Sequence, residues 1–231
     1  MPFLLIIAVL LAGIALARWA QGRYAAMMHK GSRVNVPTAH NGREIALLFL
    51  KSEGVDDVQV VEHDGVVSDY FDPVRRRLFL RRRVAQGDTL SDWATALHEA
   101  AHALQTGDSL GELKWRQSCI RMSRYLPVVI VFAAAALTLF RILPARAALA
   151  AAAAALLLVL LLNFGSLPAE FNASKRVRRF LDEHLRDHEQ ARGRLDELLF
   201  CMAIREAGDM ISSPRYFFLS ALPGTGKSRP E

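Results

Sequence analysis

The stretch "DTLSDWATALHEAAHALQ", residues 88–105, predicts the central helix of the polar part of this chain. Three residues of types that commonly cap helix N-termini open the stretch: Asp88, Thr89 and Ser91. The helix is expected from about Asp92 to Thr106. Four apolar residues recur along it at helical spacing: Trp93, Leu97, Ala100 and Leu104. This stripe is suited to packing on a small sheet, so the stretch indicates an α+β region.

The same helix carries His98, Glu99 and His102 in the order His-Glu-x-x-His. Positions i and i+4 lie on one face of a helix, so the two imidazoles can bind one ion. That face differs from the apolar stripe. Glu99 lies beside it, where a carboxylate can take a proton from a water held at the ion. The pattern predicts a hydrolytic zinc site, and the competing interpretation is an alanine-rich helix with two incidental histidines.

The residues before this helix predict one more helix and two strands. "NGREIALLFLKSEGV" (41–55) has helical apolar spacing, and both "DVQVVEH" (57–63) and "RRLFLRR" (76–82) have the composition of strands. "SDYFDP" (68–73) carries turn chemistry. Six arginines fall within residues 75–83. They predict a solvated strand face, with contact to phospholipid headgroups as the functional alternative.

Three apolar runs predict membrane-spanning helices, at residues 2–17, 126–143 and 147–167. Each is close to the roughly 17 to 25 residues that cross a hydrocarbon core, the first being the shortest. Only "PAR" (144–146) separates the second run from the third, which predicts a tight helical hairpin. A buried pair of core helices is the alternative for this hairpin. A cleaved signal peptide is the alternative for the first run, but no basic residue precedes that run.

The charge pattern predicts how the chain is oriented in the membrane. The net charge is +6, and the basic residues lie mainly after the first run, before the second and after the third. By the positive-inside rule both polar regions face the cytoplasm, with the N-terminus and the hairpin turn outside. Basic clusters beside apolar runs favour a bilayer rather than nucleic acid as partner. Two isolated cysteines are typical of free thiols in a reducing compartment.

A catalytic zinc ion needs a third protein ligand, and the short zinc signatures do not supply one here. Gln105 and Asp108 occupy the positions where those signatures have a glycine and a third histidine. Pro168 allows a new helix to start after the third apolar run, and Glu170 would lie in its first turn. Because the hairpin starts and ends on one side of the membrane, Glu170 can return beside His98 and His102. The alternative interpretation of Glu170 is a glutamate that stabilises the start of a helix and binds no metal.

His184 and His188, also at i, i+4 spacing, are the rival ligands. They lie among charged residues on what the pattern predicts to be a solvent-exposed helix, which favours surface histidines over metal ligands.

The order of these features resembles the YugP-like family of membrane-bound neutral zinc metallopeptidases. The shared order is an apolar anchor, "DYFDP", "LHEAAHALQ", a membrane hairpin and then "LPAEFNASKR". It is also similar to the arrangement of the HtpX-type proteases. The resemblance covers about residues 15 to 185. It implies that His98, His102 and Glu170 bind Zn²⁺ and that Glu99 is the general base.

Two residues depart from the pattern of that family. Asn172 replaces the aspartate of "EFDAS", so the resemblance implies that a carboxylate supporting the ligands is missing here. Ala101 replaces a glycine before the second histidine. The resemblance gives a reaction type and no physiological substrate.

We therefore expect a mainly α membrane protein with about three transmembrane helices and a small α+β, zincin-like catalytic region. The expected parts are an anchor (1–20), a cytoplasmic catalytic region (21–125), a transmembrane hairpin (126–167), a cytoplasmic helical region with the third ligand (168–215) and a flexible tail (216–231). The predicted function is zinc-dependent hydrolysis of peptide bonds in protein or peptide substrates, including membrane proteins, at the inner membrane. One alternative is a zinc-binding but proteolytically inactive scaffold or adaptor. The other is a structural membrane protein in which the motif is accidental.

Overall fold

The computed structural model describes residues 2–64, 68–105 and 108–212. Its helices are α1 (Pro2–Gly31), α2 (Gly42–Ser52), α3 (Arg82–Gln86), α4 (Leu90–Ala101), α5 (Asp108–Leu139), α6 (Ala145–His184) and α7 (Glu189–Ser212). Its strands are β1 (Gln59–His63), β2 (Tyr70–Asp72) and β3 (Arg77–Arg81), and a 3-10 helix (His102–Leu104) follows α4. The mainly helical class with a small sheet is as predicted. The predicted tail, residues 216–231, lies outside the described residues.

The chain divides into two compact units. The first, which we call the apolar unit, consists of Met1–Gln21, Trp115–Leu167 and Arg205–Glu231. The second, the polar unit, consists of Gly22–Lys114 and Pro168–Ile204. Both histidines of the predicted zinc site and Glu170 belong to the polar unit.

The three strands of the polar unit form one sheet in the order β1-β3-β2. β1 runs parallel to β3, with Val60 opposite Leu78, and β2 runs antiparallel to β3, with Phe71 opposite Leu78. The prediction of a turn at residues 68–73 is wrong for its central part, because Tyr70–Asp72 form β2. The turn begins at Asp72, whose carboxylate accepts hydrogen bonds from the next backbone N–H groups at Val74 and Arg75.

The core of the polar unit lies where α2 packs against α4. Asn41 and Glu44 form a capping box that starts α2, and Gly54, with φ +72°, follows the helix as predicted. Gly42 permits the close approach of neighbouring backbone, because a Cβ there would lie 2.1 Å from the carbonyl oxygen of Val84. The largest fully buried side chains include Trp93, Phe49, Ile45, Leu78, Leu97 and Leu181. Each contributes about 1.5–3 kcal/mol by leaving water.

Ion pairs account for most of the arginine cluster at residues 75–83. Four of the six arginines pair with aspartates: Arg75 with Asp72, Arg76 with Asp57, Arg81 with Asp69 and Arg82 with Asp64. The Arg81–Asp69 pair is the most buried of these, and Asp69 also accepts the backbone N–H of Arg81 at 2.7 Å. A locally neutralised strand face therefore describes this cluster better than a surface of unpaired positive charge.

In the apolar unit, long helices carry the apolar runs of the sequence. Within the described residues one helix, α6, is long and apolar enough to cross a membrane, and α5 contains a shorter apolar segment at Val128–Leu139. The indole of Trp115 on α5 donates a hydrogen bond of 3.0 Å to the carbonyl oxygen of Gly165 on α6. The count of three spanning helices stays a prediction.

The expectation that a new helix starts at Pro168 is wrong. Pro168 lies inside α6, which continues unbroken from Ala145 to His184. A proline removes one N–H from a helix and crowds the preceding turn, which costs about 3 kcal/mol in a helix interior. Four side chains on one face of the following segment are buried and offset that cost: Ala169, Ala173, Val177 and Leu181.

Candidate metal centre

Helix α4 and the 3-10 helix that follows it carry the two histidines of the motif within the core of the polar unit. Among the predicted caps, Thr89 is the N-cap, and its hydroxyl accepts the backbone N–H of Asp92. Eleven of the twelve residues of α4 are buried, including three members of the predicted apolar stripe. A helix that is buried on all sides is held by its neighbours rather than by one amphipathic face. Its side chains therefore have well-defined positions.

The helix ends earlier than predicted, at Ala101 rather than about Thr106, and His102 opens the 3-10 helix. The change from α-helical to 3-10 geometry begins only at the second histidine, so His98 and His102 keep the i, i+4 spacing. The ring centroids of His98 and His102 lie 5.2 Å apart, and their planes are inclined at 81°. Both rings are buried, with about 2% of each residue exposed. They therefore form a well-ordered pair inside the protein.

Glu170 on α6 completes a three-residue cluster with this pair. Its Oε2 atom lies 3.0 Å from Nε2 of His98 and 3.8 Å from Nε2 of His102. The carboxylate is fully buried. One potential ligand atom from each of the three residues falls within 4.8 Å of the others. The structure thus brings together the three residues that the sequence predicts as metal ligands.

The chemistry and the spacing of these atoms fit a zinc ion. Two imidazole nitrogens and one carboxylate oxygen are the donor set of a common type of catalytic zinc site. Tetrahedral bonds of about 2.0–2.1 Å hold ligand atoms about 3.3 Å apart. The two distances from Glu170 Oε2, 3.0 and 3.8 Å, lie on either side of that separation. Small side-chain adjustments are therefore enough to hold the ion.

Gln105 links the second histidine to the helix that carries Glu170. Its Oε1 atom lies 2.9 Å from Nδ1 of His102, and its Nε2 donates a hydrogen bond of 2.8 Å to the carbonyl oxygen of Ala169. Gln105 is buried. Its supporting role was missed in the sequence, because its second partner lies 64 residues away. Its position three residues after His102 was the available signal.

Glu99 differs from the rest of α4 in its exposure. It is the residue of that helix that is not buried, and it directly follows His98. Its side chain is partly exposed to solvent, and its neighbour in the sequence is a candidate ligand. This position is consistent with the role of proton acceptor that the motif predicts.

Asn172, which departs from the family pattern, contacts residues other than the three candidate ligands. Its Nδ2 donates to Oε2 of Glu112 at 3.3 Å, and its Oδ1 accepts from Nε of Arg176 at 3.0 Å. An aspartate could not donate the first of these bonds. The amide therefore suits its neighbours in this chain, and these two hydrogen bonds go to residues other than the histidines.

The rival histidines do not form a second cluster. His188 is exposed, as predicted, but the prediction of a surface position is wrong for His184, which is half-buried. The His184 ring stacks on Phe180 at 5.2 Å and lies 6.0 Å from the ring of His40. Burial and the nearby His40 lower the pKa of His184. This histidine is a packing residue at the end of α6.

Comparison with known proteins points to the same chemistry. The model of a family described as "Putative neutral zinc metallopeptidase" matches residues 4–204 of the chain, which include all four residues of the predicted site. The chain belongs to this family. Zinc is therefore the cofactor that both the family and the buried cluster indicate.

A relative agrees with this assignment. The chain is 30% identical over 181 residues to "Putative membrane protease YugP" of Bacillus subtilis (strain 168), which covers 77% of this chain and 78% of the relative. No solved structure matches the chain. The family name indicates protein or peptide substrates. The relative's name and the apolar helix α6 together indicate an association with membranes.

Proposed function

We propose that the protein is a membrane-anchored zinc endopeptidase whose ligands are His98, His102 and Glu170 and whose general base is Glu99. The observation that carries the proposal is the buried cluster of two imidazoles and one carboxylate, beside a helix position that stays accessible. Family membership supports the choice of zinc and of peptide hydrolysis.

The chemistry divides between the ion and the protein. A zinc ion held by His98, His102 and Glu170 would polarise the scissile carbonyl and lower the pKa of a water molecule. Glu99 accepts the proton of the attacking water on its carboxylate and then delivers it to the leaving amine. His98 and His102 bind through Nε2, and Glu170 supplies the negative charge that balances part of the charge of the ion.

We infer that an extended substrate binds along the sheet. β2 is an edge strand, and it packs against α4. An unpaired strand edge can bind a peptide by adding it to the sheet, because its backbone N–H and C=O groups repeat with the spacing of an extended chain. This arrangement supports an endopeptidase that takes unfolded or extended segments.

The proposal includes the place of the reaction in the cell. The apolar runs anchor the chain in the inner membrane, and the basic residues that flank them favour a catalytic region in the cytoplasm. A site tethered beside the bilayer favours membrane proteins and their exposed loops as substrates.

The test compares the wild-type protein with Glu99→Gln, purified in detergent and assayed on casein and on a fluorogenic peptide library. We expect Glu99→Gln to keep its zinc and to lose about 10²- to 10⁴-fold in kcat/KM. Glu183→Gln, an exposed change on α6, is the matched control and should keep full activity. If zinc is bound but the wild type and Glu99→Gln hydrolyse nothing, the protein is a zinc-binding scaffold and the proposed activity is wrong.

A further inference from the structure

Gln105 is held by contacts on two sides. Its backbone N–H donates to the carbonyl oxygen of His102 at 3.3 Å, and its side chain lies between the His102 ring and the backbone of Ala169. The residue is about 1% exposed. A buried amide with both ends engaged has one orientation available, so its neighbours determine where its oxygen and its nitrogen lie.

The carbonyl of Ala169 determines the orientation of the amide. A carbonyl oxygen can only accept, so the NH₂ group of Gln105 must face Ala169, and Oε1 must face His102. An amide oxygen is also only an acceptor. Nδ1 of His102 must therefore carry the proton that Oε1 accepts. In the neutral ring Nε2 then has the free electron pair, and Nε2 is the atom that points at Glu170.

We propose that Gln105 is a positioning residue of the zinc site: it fixes His102 in the metal-binding tautomer and ties that histidine to the helix that carries Glu170. The inference rests on the proposed zinc function of the cluster. Ala169 directly precedes Glu170, so one side chain sets the position of two ligands that come from different helices. A hydrogen bond of this kind also increases the basicity of the imidazole that binds the metal.

The inference predicts a measurable change in metal binding. Loss of a hydrogen-bond partner of a metal-binding histidine typically weakens metal affinity about 10- to 100-fold. Gln105→Met keeps the length and volume of the side chain. Methionine has no amide oxygen to accept the Nδ1 proton of His102 and no N–H to donate to the Ala169 carbonyl. We therefore expect its zinc dissociation constant to rise by that factor.

The matched control is Thr95→Val. Thr95 is likewise buried and lies on α4, the helix that carries His98, and its hydroxyl donates a 2.8 Å hydrogen bond to the carbonyl oxygen of Ser91. Its removal deletes a buried hydrogen bond of similar length without touching a candidate ligand. We expect the zinc affinity of Thr95→Val to equal that of the wild type.

The experiment has two readouts on the full-length protein in detergent. Competition with a chromophoric chelator gives the zinc dissociation constant of the wild type, Gln105→Met and Thr95→Val. Nitrogen-15 spectra of histidine-labelled, zinc-free protein at mildly alkaline pH give the tautomer of His102. The signals of His102 are identified as those that disappear in His102→Gln. The expected results are an Nδ1–H tautomer in the wild type and a shift towards Nε2–H in Gln105→Met.

The outcomes separate this inference from the proposed function. An Nε2–H tautomer at His102 in the wild type would overturn the inference whether or not any variant folds. Equal zinc affinity in wild type and Gln105→Met would also overturn it, while leaving the zinc site in place. A wild type that binds no zinc would overturn the proposed function itself.

Discussion

Removal of zinc should lower the thermal stability of the polar unit by a predictable amount. The candidate ligands lie on α4, on the 3-10 helix after it and on α6, so the ion can form all its bonds in the folded chain and few in the unfolded chain. A ligand that binds the folded state alone stabilises it by RT ln(1 + [Zn]/Kd), about 2.7 kcal/mol at 100 times Kd. For a unit of about 130 residues that is a shift in Tm of about 10 °C.

The assay is thermal unfolding of the detergent-solubilised protein, followed by circular dichroism, with zinc at 100 times its measured Kd or with excess chelator. The wild type should lose about 10 °C on chelation, and the loss should grow with the logarithm of zinc concentration. Glu170→Ala should show almost no response to zinc. A wild-type Tm that is the same in zinc and in chelator would refute the reasoning, because a site built from these residues must be linked to folding.

Three further predictions concern stability. Asn172→Asp replaces a donor to Glu112 with a second carboxylate, so the free energy of unfolding should fall by about 1–2 kcal/mol in urea titrations. Gly42→Ala places a methyl group 2.1 Å from the carbonyl oxygen of Val84 and should cost about 3 kcal/mol. His184 has a lowered pKa in the folded state, so the unfolded chain binds its proton more readily. Wild-type stability should therefore fall as pH drops below about 6.5 and fall less in His184→Phe.

The first two of these predictions have control variants, and the third has a result that would contradict it. Adding Glu112→Gln to Asn172→Asp restores a donor opposite the new carboxylate and should recover most of the lost stability. Gly22→Ala, where a Cβ meets no atom within 4 Å, should be neutral or slightly stabilising. Equal slopes of stability against pH in wild type and His184→Phe would contradict the role given to burial at that ring.

The local sequence was sufficient to predict that a helix lies here and that Thr89 is among its three candidate caps, although the helix ends earlier than predicted. Thr89 caps the helix by contacts within one turn, and the i, i+4 spacing of His98 and His102 is a property of the helix alone. Glu170 was predicted as the third candidate from an expected membrane hairpin that returns the chain to its starting side, and the structure places its carboxylate beside the two histidines. Each of these inferences uses short-range geometry or chain topology.

Features that depend on long-range packing could not be predicted. β2 has three residues and exists because β3 supplies its hydrogen-bond partners, so the turn-forming residues around it concealed the strand. The continuation of α6 through Pro168 depends on buried neighbours, which no local rule for proline includes. The half-buried position of His184 and the role of Gln105 likewise depend on partners distant in sequence.

The most direct test of the account is the zinc content of the purified protein, measured by mass spectrometry of metals for wild type, Glu170→Ala and Glu183→Ala. Glu183 is an exposed residue of the same helix and serves as the control. We expect about one zinc per chain in the wild type and in Glu183→Ala, and a marked loss in Glu170→Ala. Zinc absent from all three proteins, or retained in full by Glu170→Ala, would contradict the claim that His98, His102 and Glu170 form the metal centre.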